Sequence, residues 1–163
     1  MESSRGADFD WSGYDAQIGV AAKAGLEVLP FLAGAPRWLV PEAVVPGTHG
    51  EARARFAGAA VRRYGPRGAF WAENPQLPQR PVRAWQIWNE PNFKYFVTKP
   101  NPAEYGKLVA SSYAAIKAVD PGAKVILAGL LARPRGSRTA SGKHKSPNWY
   151  ASCRGSSKKR GKS

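Results

Sequence analysis

Cysteine, histidine and methionine are nearly missing from this sequence. Its only cysteine is Cys153, so neither an intrachain disulfide nor a cysteine zinc site can be assembled. The two histidines, His49 and His144, lie far apart without metal-ligand spacing. No apolar run approaches the roughly 18 residues that a membrane span needs, and "MESSRGADFD" has no basic stretch leading into an apolar one. Glycine is present, but "GPRG" and "AGLLARPRG" lack the spacing that lets backbone amides cradle a pyrophosphate, which disfavours a nucleotide fold. Acids are scarce too, and none follows Asp120.

What is present is a globular composition, with 43% hydrophobic and 22% charged residues in 163. The formal charge of +14 is unevenly spread. Residues 133–163 hold ten Lys or Arg and no acid, whereas the fifteen bases of residues 1–132 face eleven acids. This tail is Ser- and Gly-rich with almost no aliphatic residues, too little to offset the entropy of ordering, and it is expected to be disordered. Residues 1–132 form the folded unit.

The body alternates helix and strand patterns. "SGYDAQIGVAAKAG" predicts a helix with Ser12 as N-cap, Asp15 at the capping-box position and Gly25 as stop; Asp10 and Asp15 both read as capping acids. "LEVLPFLA" has strand length. Thr48 and Glu51 open a second helix with Phe56, Ala59, Ala60 and Tyr64 on one face, and residues 65–81 read as loop. "VRAWQIWN" is a second strand. Asn101, Pro102 and Glu104 then start a helix presenting Tyr105, Leu108, Val109, Ser112, Ile116 and Val119, and "AKVILAGLL" is a third strand. Apolar strands alternating with amphipathic helices predict an α/β fold, a parallel sheet covered by helices. In such folds chemistry gathers at the C-terminal ends of the strands, and "WNEPN" stands at one.

These residues carry a resemblance. "VRAWQIWNEPN" is similar to the fourth strand of the retaining (β/α)8-barrel glycoside hydrolases, a clan of cellulases, mannanases and xylosidases in which Asn-Glu-Pro holds the acid/base carboxyl. "WSGYDAQIGVAAKAGLEVLPFLAGAPRW" resembles the helix, third strand and Pro-x-Trp loop of those barrels, and "DPGAKVILAG" the approach to strand five. The resemblance runs over residues 8–132. It implies a partial TIM barrel, roughly strands three to five with their helices, and hydrolysis of O-glycosyl bonds with no cofactor and no metal. Glu90 would be the acid/base, since a carboxyl lodged beside Trp88 and Pro91 loses hydration and favours its proton-donating form. Asn89 would hydrogen-bond the sugar hydroxyl next to the anomeric carbon, and Trp38, Trp88 and Phe93 would offer flat faces to the sugar of an oligosaccharide, polysaccharide or simple glycoside.

Simpler roles stand beside these: a strand-end Glu as a cap, Asn89 as a turn residue, Trp38 and Trp88 as packing, and Glu73 as a solvated acid on the opposite side of the sheet. Against the family pattern, strands one and two and the nucleophile strand seven have no counterpart, so the isolated chain is expected to be inactive. A shifted reading frame or misplaced gene end would explain the abrupt basic tail. A half-barrel leaves sheet edges unpaired, which predicts self-association. Location is cytoplasmic by default, the parent enzyme being open to secretion. The alternatives are a tail that binds nucleic acid or an anionic surface, the less favoured reading since it lacks interleaved aromatics, and a remnant that binds carbohydrate without cleaving it.

Overall fold

In the computed structural model, residues 8–34 and 49–131 are described. Thr48, Trp38 and the basic tail lie outside them. Within them the order is α1 (Ser12–Lys23), β1 (Phe31–Leu32), α2 (Gly50–Tyr64), α3 (Ala69–Glu73), β2 (Ala84–Ile87), α4 (Pro102–Val119) and β3 (Lys124–Leu127). No helix among the described residues is long and apolar enough to cross a membrane.

The strands pair in sequence order, β1-β2-β3, and both pairings are parallel. Parallel neighbours need a crossover, and crossovers of one hand between strands taken in order put their helices on one side. Accordingly α2 and α4 pack directly against each other on a single face of the sheet. Trp85 and Ile87 point into that face and are buried, as are Val61, Leu108 and Ile116 of the helices. Among the described residues the opposite face is uncovered: Leu29 and Phe31 are 51% and 60% exposed, and Phe31 stands level with Gln86 and Ile126. Helices on one face of a parallel sheet are what the expected barrel fragment would show.

The local chemistry accounts for most boundaries. Gly25, at φ 73, lets the Leu26 amide donate to the Ala21 carbonyl and its own amide to Ala22, which closes α1. Leu26 is thereby used up, and Pro30 has no amide to give. The first strand shrinks to two residues, with the Pro30 and Leu32 carbonyls accepting from the amides of Gln86 and Trp88. At α4 the Asn101 side chain accepts from Ala103 and Glu104 amides at 2.9 and 3.3 Å, as expected; Glu104 turns instead to Lys107, at 2.7 Å. The sequence "loop" 65–81 contains α3, whose Phe70 and Trp71 are buried, with the Trp71 indole donating to the Tyr64 carbonyl at 2.8 Å.

The acids of α1 are not both caps. Asp10 accepts from the Ser12 amide and hydroxyl, so Ser12 is the first helical residue rather than the N-cap. Asp15 instead joins α1 to α2, and through Arg63 the link extends to α3. The Arg63 guanidinium donates to Asp15 at 2.9 and 2.5 Å and to Glu73 at 3.2 and 2.9 Å, and the Tyr64 hydroxyl donates to Asp15 at 2.7 Å. Glu73 is exposed yet paired, not simply solvated. Burial opposes ionisation of Asp15, but the hydrogen bonds from Arg63 and Tyr64 outweigh it and hold the carboxyl below its ordinary value. An apolar cavity of about 530 Å³ remains between α1 and the sheet, bounded by Ile18, Ala21, Leu32, Ala60 and Trp85.

Candidate active site

The C-terminal end of the central strand β2 is where the chain changes character. After Ile87 the backbone leaves extended geometry: Trp88 has φ 69 and Glu90 φ 40, left-handed values that side-chain-bearing residues rarely adopt. Such conformations persist where the surroundings enforce them, and they concentrate at functional positions. Three contacts enforce this one. The Gln86 side-chain amide donates to the Trp88 carbonyl at 2.9 Å, and the Phe93 amide donates to the Glu90 carbonyl at 2.9 Å. Pro91 is fully buried below the turn.

From α4, the buried Tyr105 hydroxyl donates to the Ile87 carbonyl at 2.9 Å and accepts from the Ala128 amide at 2.8 Å, joining the ends of β2 and β3. The Asn92 side chain exchanges both its hydrogen bonds with the Leu131 backbone, at 2.9 and 3.0 Å. Two adjacent strand ends are thereby locked in register around the turn that bears Asn89 and Glu90.

Asn89 and Glu90 are half-buried in that turn, side by side at the mouth of the sheet. Phe93, also half-buried, stacks on the exposed ring of Tyr95, with centroids 6.2 Å apart, and meets Phe96 edge-on. Trp88 is different. It is only 4% exposed, and the Arg53 guanidinium of α2 sits 4.9 Å from its ring centroid. One face of that indole is therefore occupied by a cation. Trp38 lies outside the described residues, so the turn holds four of the five residues expected to act together.

Sequence reasoning passed over Arg53, Tyr105 and Asn92. Tyr105 stands on the inward face of its helix and Asn92 within the quoted motif, but nothing in the sequence marks their hydrogen bonds to the strand ends. Arg53 carries a signal: it begins the spacing 53, 57, 60, 64 whose other members are buried, so a charge interrupts an inward stripe. The face centred on Phe56 and Ala59 is rotated accordingly, and these two are only half-buried.

No protein-family model and no characterised protein sequence matches the chain. Among solved structures it is similar to a monomeric β-xylosidase from Caulobacter crescentus CB15, with a TM-score of 0.54 and 23% identity. The match covers 72% of this chain and 24% of that one, so the chain spans about a quarter of that protein's length. At this identity the likeness shows the fold alone: a glycoside hydrolase-like arrangement of helices and parallel strands.

Proposed function

We propose that residues 8–131 are a wedge of a (β/α)8 barrel carrying the acid/base part of a retaining glycoside hydrolase site. The observation that carries the reading is the turn bearing Asn89 and Glu90, with Trp88 and Glu90 in left-handed backbone, at the C-terminal end of the central parallel strand. Consecutive parallel strands with both crossover helices on one face are what a singly wound barrel requires, and a β-xylosidase shares this fold. In this reading Glu90 protonates the glycosidic oxygen and Asn89 binds the neighbouring hydroxyl. Phe93 and Trp38 offer apolar faces to the ring, and Trp88 backs the site from beneath, since it is buried.

A retaining reaction also needs a second carboxylate about 5 Å from the first. Among the described acids, Asp15, Glu73 and Glu104 are held in ion pairs and Asp10 and Asp120 bind backbone at helix ends, while Asp8, Glu27 and Glu51 are exposed. With no second carboxylate assigned beside Glu90, this chain is expected to bind xylo- or gluco-oligosaccharides with little turnover. Titration followed by tryptophan fluorescence should saturate, and Asn89→Ala should weaken binding about tenfold, as loss of a hydrogen bond in a closed site does. A flat titration, together with aryl-xyloside hydrolysis that is equal in the parent chain and Glu90→Gln, would sink the proposal. Turnover abolished by Glu90→Gln would confirm the acid/base and refute only the expected inactivity.

A further inference from the structure

Arg53 and Trp88 form a buried pair with no acceptor. Arg53 is 8% exposed, and its Nε and both terminal nitrogens find no hydrogen-bond partner among the described residues. The Trp88 indole nitrogen, in the ring beneath it, finds none either. Four donors thus converge on one stacked pair, at the strand end that bears Asn89 and Glu90.

An unpaired buried guanidinium is costly, because taking a charge out of water is offset only by an opposite charge with good hydrogen bonds. Stacking on an indole recovers part of this, but a ring face accepts no hydrogen bond in the guanidinium plane. Both in-plane edges of the fork are buried without a hydrogen-bond partner among the described residues, so an anion would have to enter a closed site. A planar or tetrahedral oxyanion is the group whose geometry matches them, since its oxygens accept in pairs from adjacent nitrogens. Burial pulls Arg53 down to about 10, which still leaves it a cation at neutral pH.

We infer that the Arg53–Trp88 pair binds an oxyanion, the carboxylate or phosphate group of a small ligand, at the C-terminal end of β2. The guanidinium supplies charge and paired donors, and the indole N–H supplies a further donor. If the site takes sugars, as proposed above, this gives it a preference for acidic over neutral ones; the inference rests on that reading only for the sugar. Arg53 is then a binding residue that selects by charge, contributed by a helix rather than by the strand-end turn.

The test uses the full chain labelled with nitrogen-15, observing the Arg53 Nε–H and Trp88 Nε1–H resonances. Titrations are run with acetate, inorganic phosphate, glucuronate and, as the neutral control, xylose. A saturable shift of both resonances with an anion, and none of Arg53 with xylose, is expected. Glucuronate binding more tightly than acetate and phosphate identifies a sugar-borne anion; equal or tighter binding of acetate or phosphate identifies a free one. Arg53→Gln should weaken the anion about thirtyfold, the loss typical of removing one partner of a buried charged pair. Should that variant not fold, Trp88→Phe keeps the ring and removes the N–H, and a several-fold weakening is expected.

Resonances that no anion moves, or anion binding unchanged in both variants, overturn the inference. Xylo-oligosaccharide binding with no anion response would overturn it while leaving the hydrolase reading intact. Anion binding together with a flat tryptophan-fluorescence titration by neutral xylo-oligosaccharides would do the reverse.

Discussion

Two side chains, Asp15 far from the strand-end turn and Tyr105 bonded directly beneath it, hold much of the structure in place, and each gives a prediction. Asp15 is ionised against Arg63 and Tyr64, and its folded value lies below its ordinary one. A depressed carboxyl contributes stability above its unfolded value and loses it as pH falls through the folded one, so the effect fades below about pH 4. Asp15→Asn should cost about 2 kcal/mol at pH 7, the scale of a hydrogen bond to a charged group, and much less at pH 3. Urea unfolding at the two pH values measures it; equal losses would contradict the assignment. Tyr105→Phe deprives a buried carbonyl and a buried amide of their shared partner. A loss of about 2–3 kcal/mol is expected, larger than for Tyr113→Phe, whose ring is exposed.

At the scale of elements, glycines in and beside α2 make opposite predictions. A Cβ on Gly58 would meet Arg62 at 3.5 Å and the Ala115 carbonyl at 3.7 Å, ordinary contact distances at the α2–α4 interface. Gly58→Ala should therefore stabilise the fold by up to about 1 kcal/mol through helix propensity. A Cβ on Gly68 would collide with the Arg63 carbonyl, and Gly68→Ala should destabilise by roughly 1–3 kcal/mol. Thermal melts of the two variants should move in opposite directions.

The same scale shows what the sequence made legible. Helix α4 was readable to its ends because Asn101, Pro102 and the 105, 108, 112, 116 spacing all act locally. Strand β1 is overestimated when the apolar run is taken through Pro30, whose missing amide is visible in the sequence, and the run does not reveal that Leu26 closes a helix. The turn at residues 88–93 was visible as a motif, but its supports were not. Arg53, Tyr105 and Leu131 reach it from other elements, and only packing brings them there.

For the whole molecule, the uncovered sheet face matters most. Leu29 and Phe31 are exposed on it, and β1 and β3 are its edges among the described residues. An apolar sheet face with open edges invites pairing with another chain. The protein is expected to associate with rising concentration, and Phe31→Lys should shift it toward monomer, as read by light scattering after size exclusion. An unchanged mass across concentrations would count against this.

The cavity under α1 divides the molecule along a seam. On one side α2, β2, α4 and β3 interlock through buried side chains and the Tyr105 bridge. On the other, α1 and the two-residue strand β1 are fastened by a short ladder, the Arg63 fork and a partly filled apolar gap. Such a division sets an order of events. Below about pH 4, where Asp15 begins to lose its charge, the fork is expected to weaken first and α1 to loosen with β1, while the turn bearing Glu90 outlasts them on the more tightly knit half.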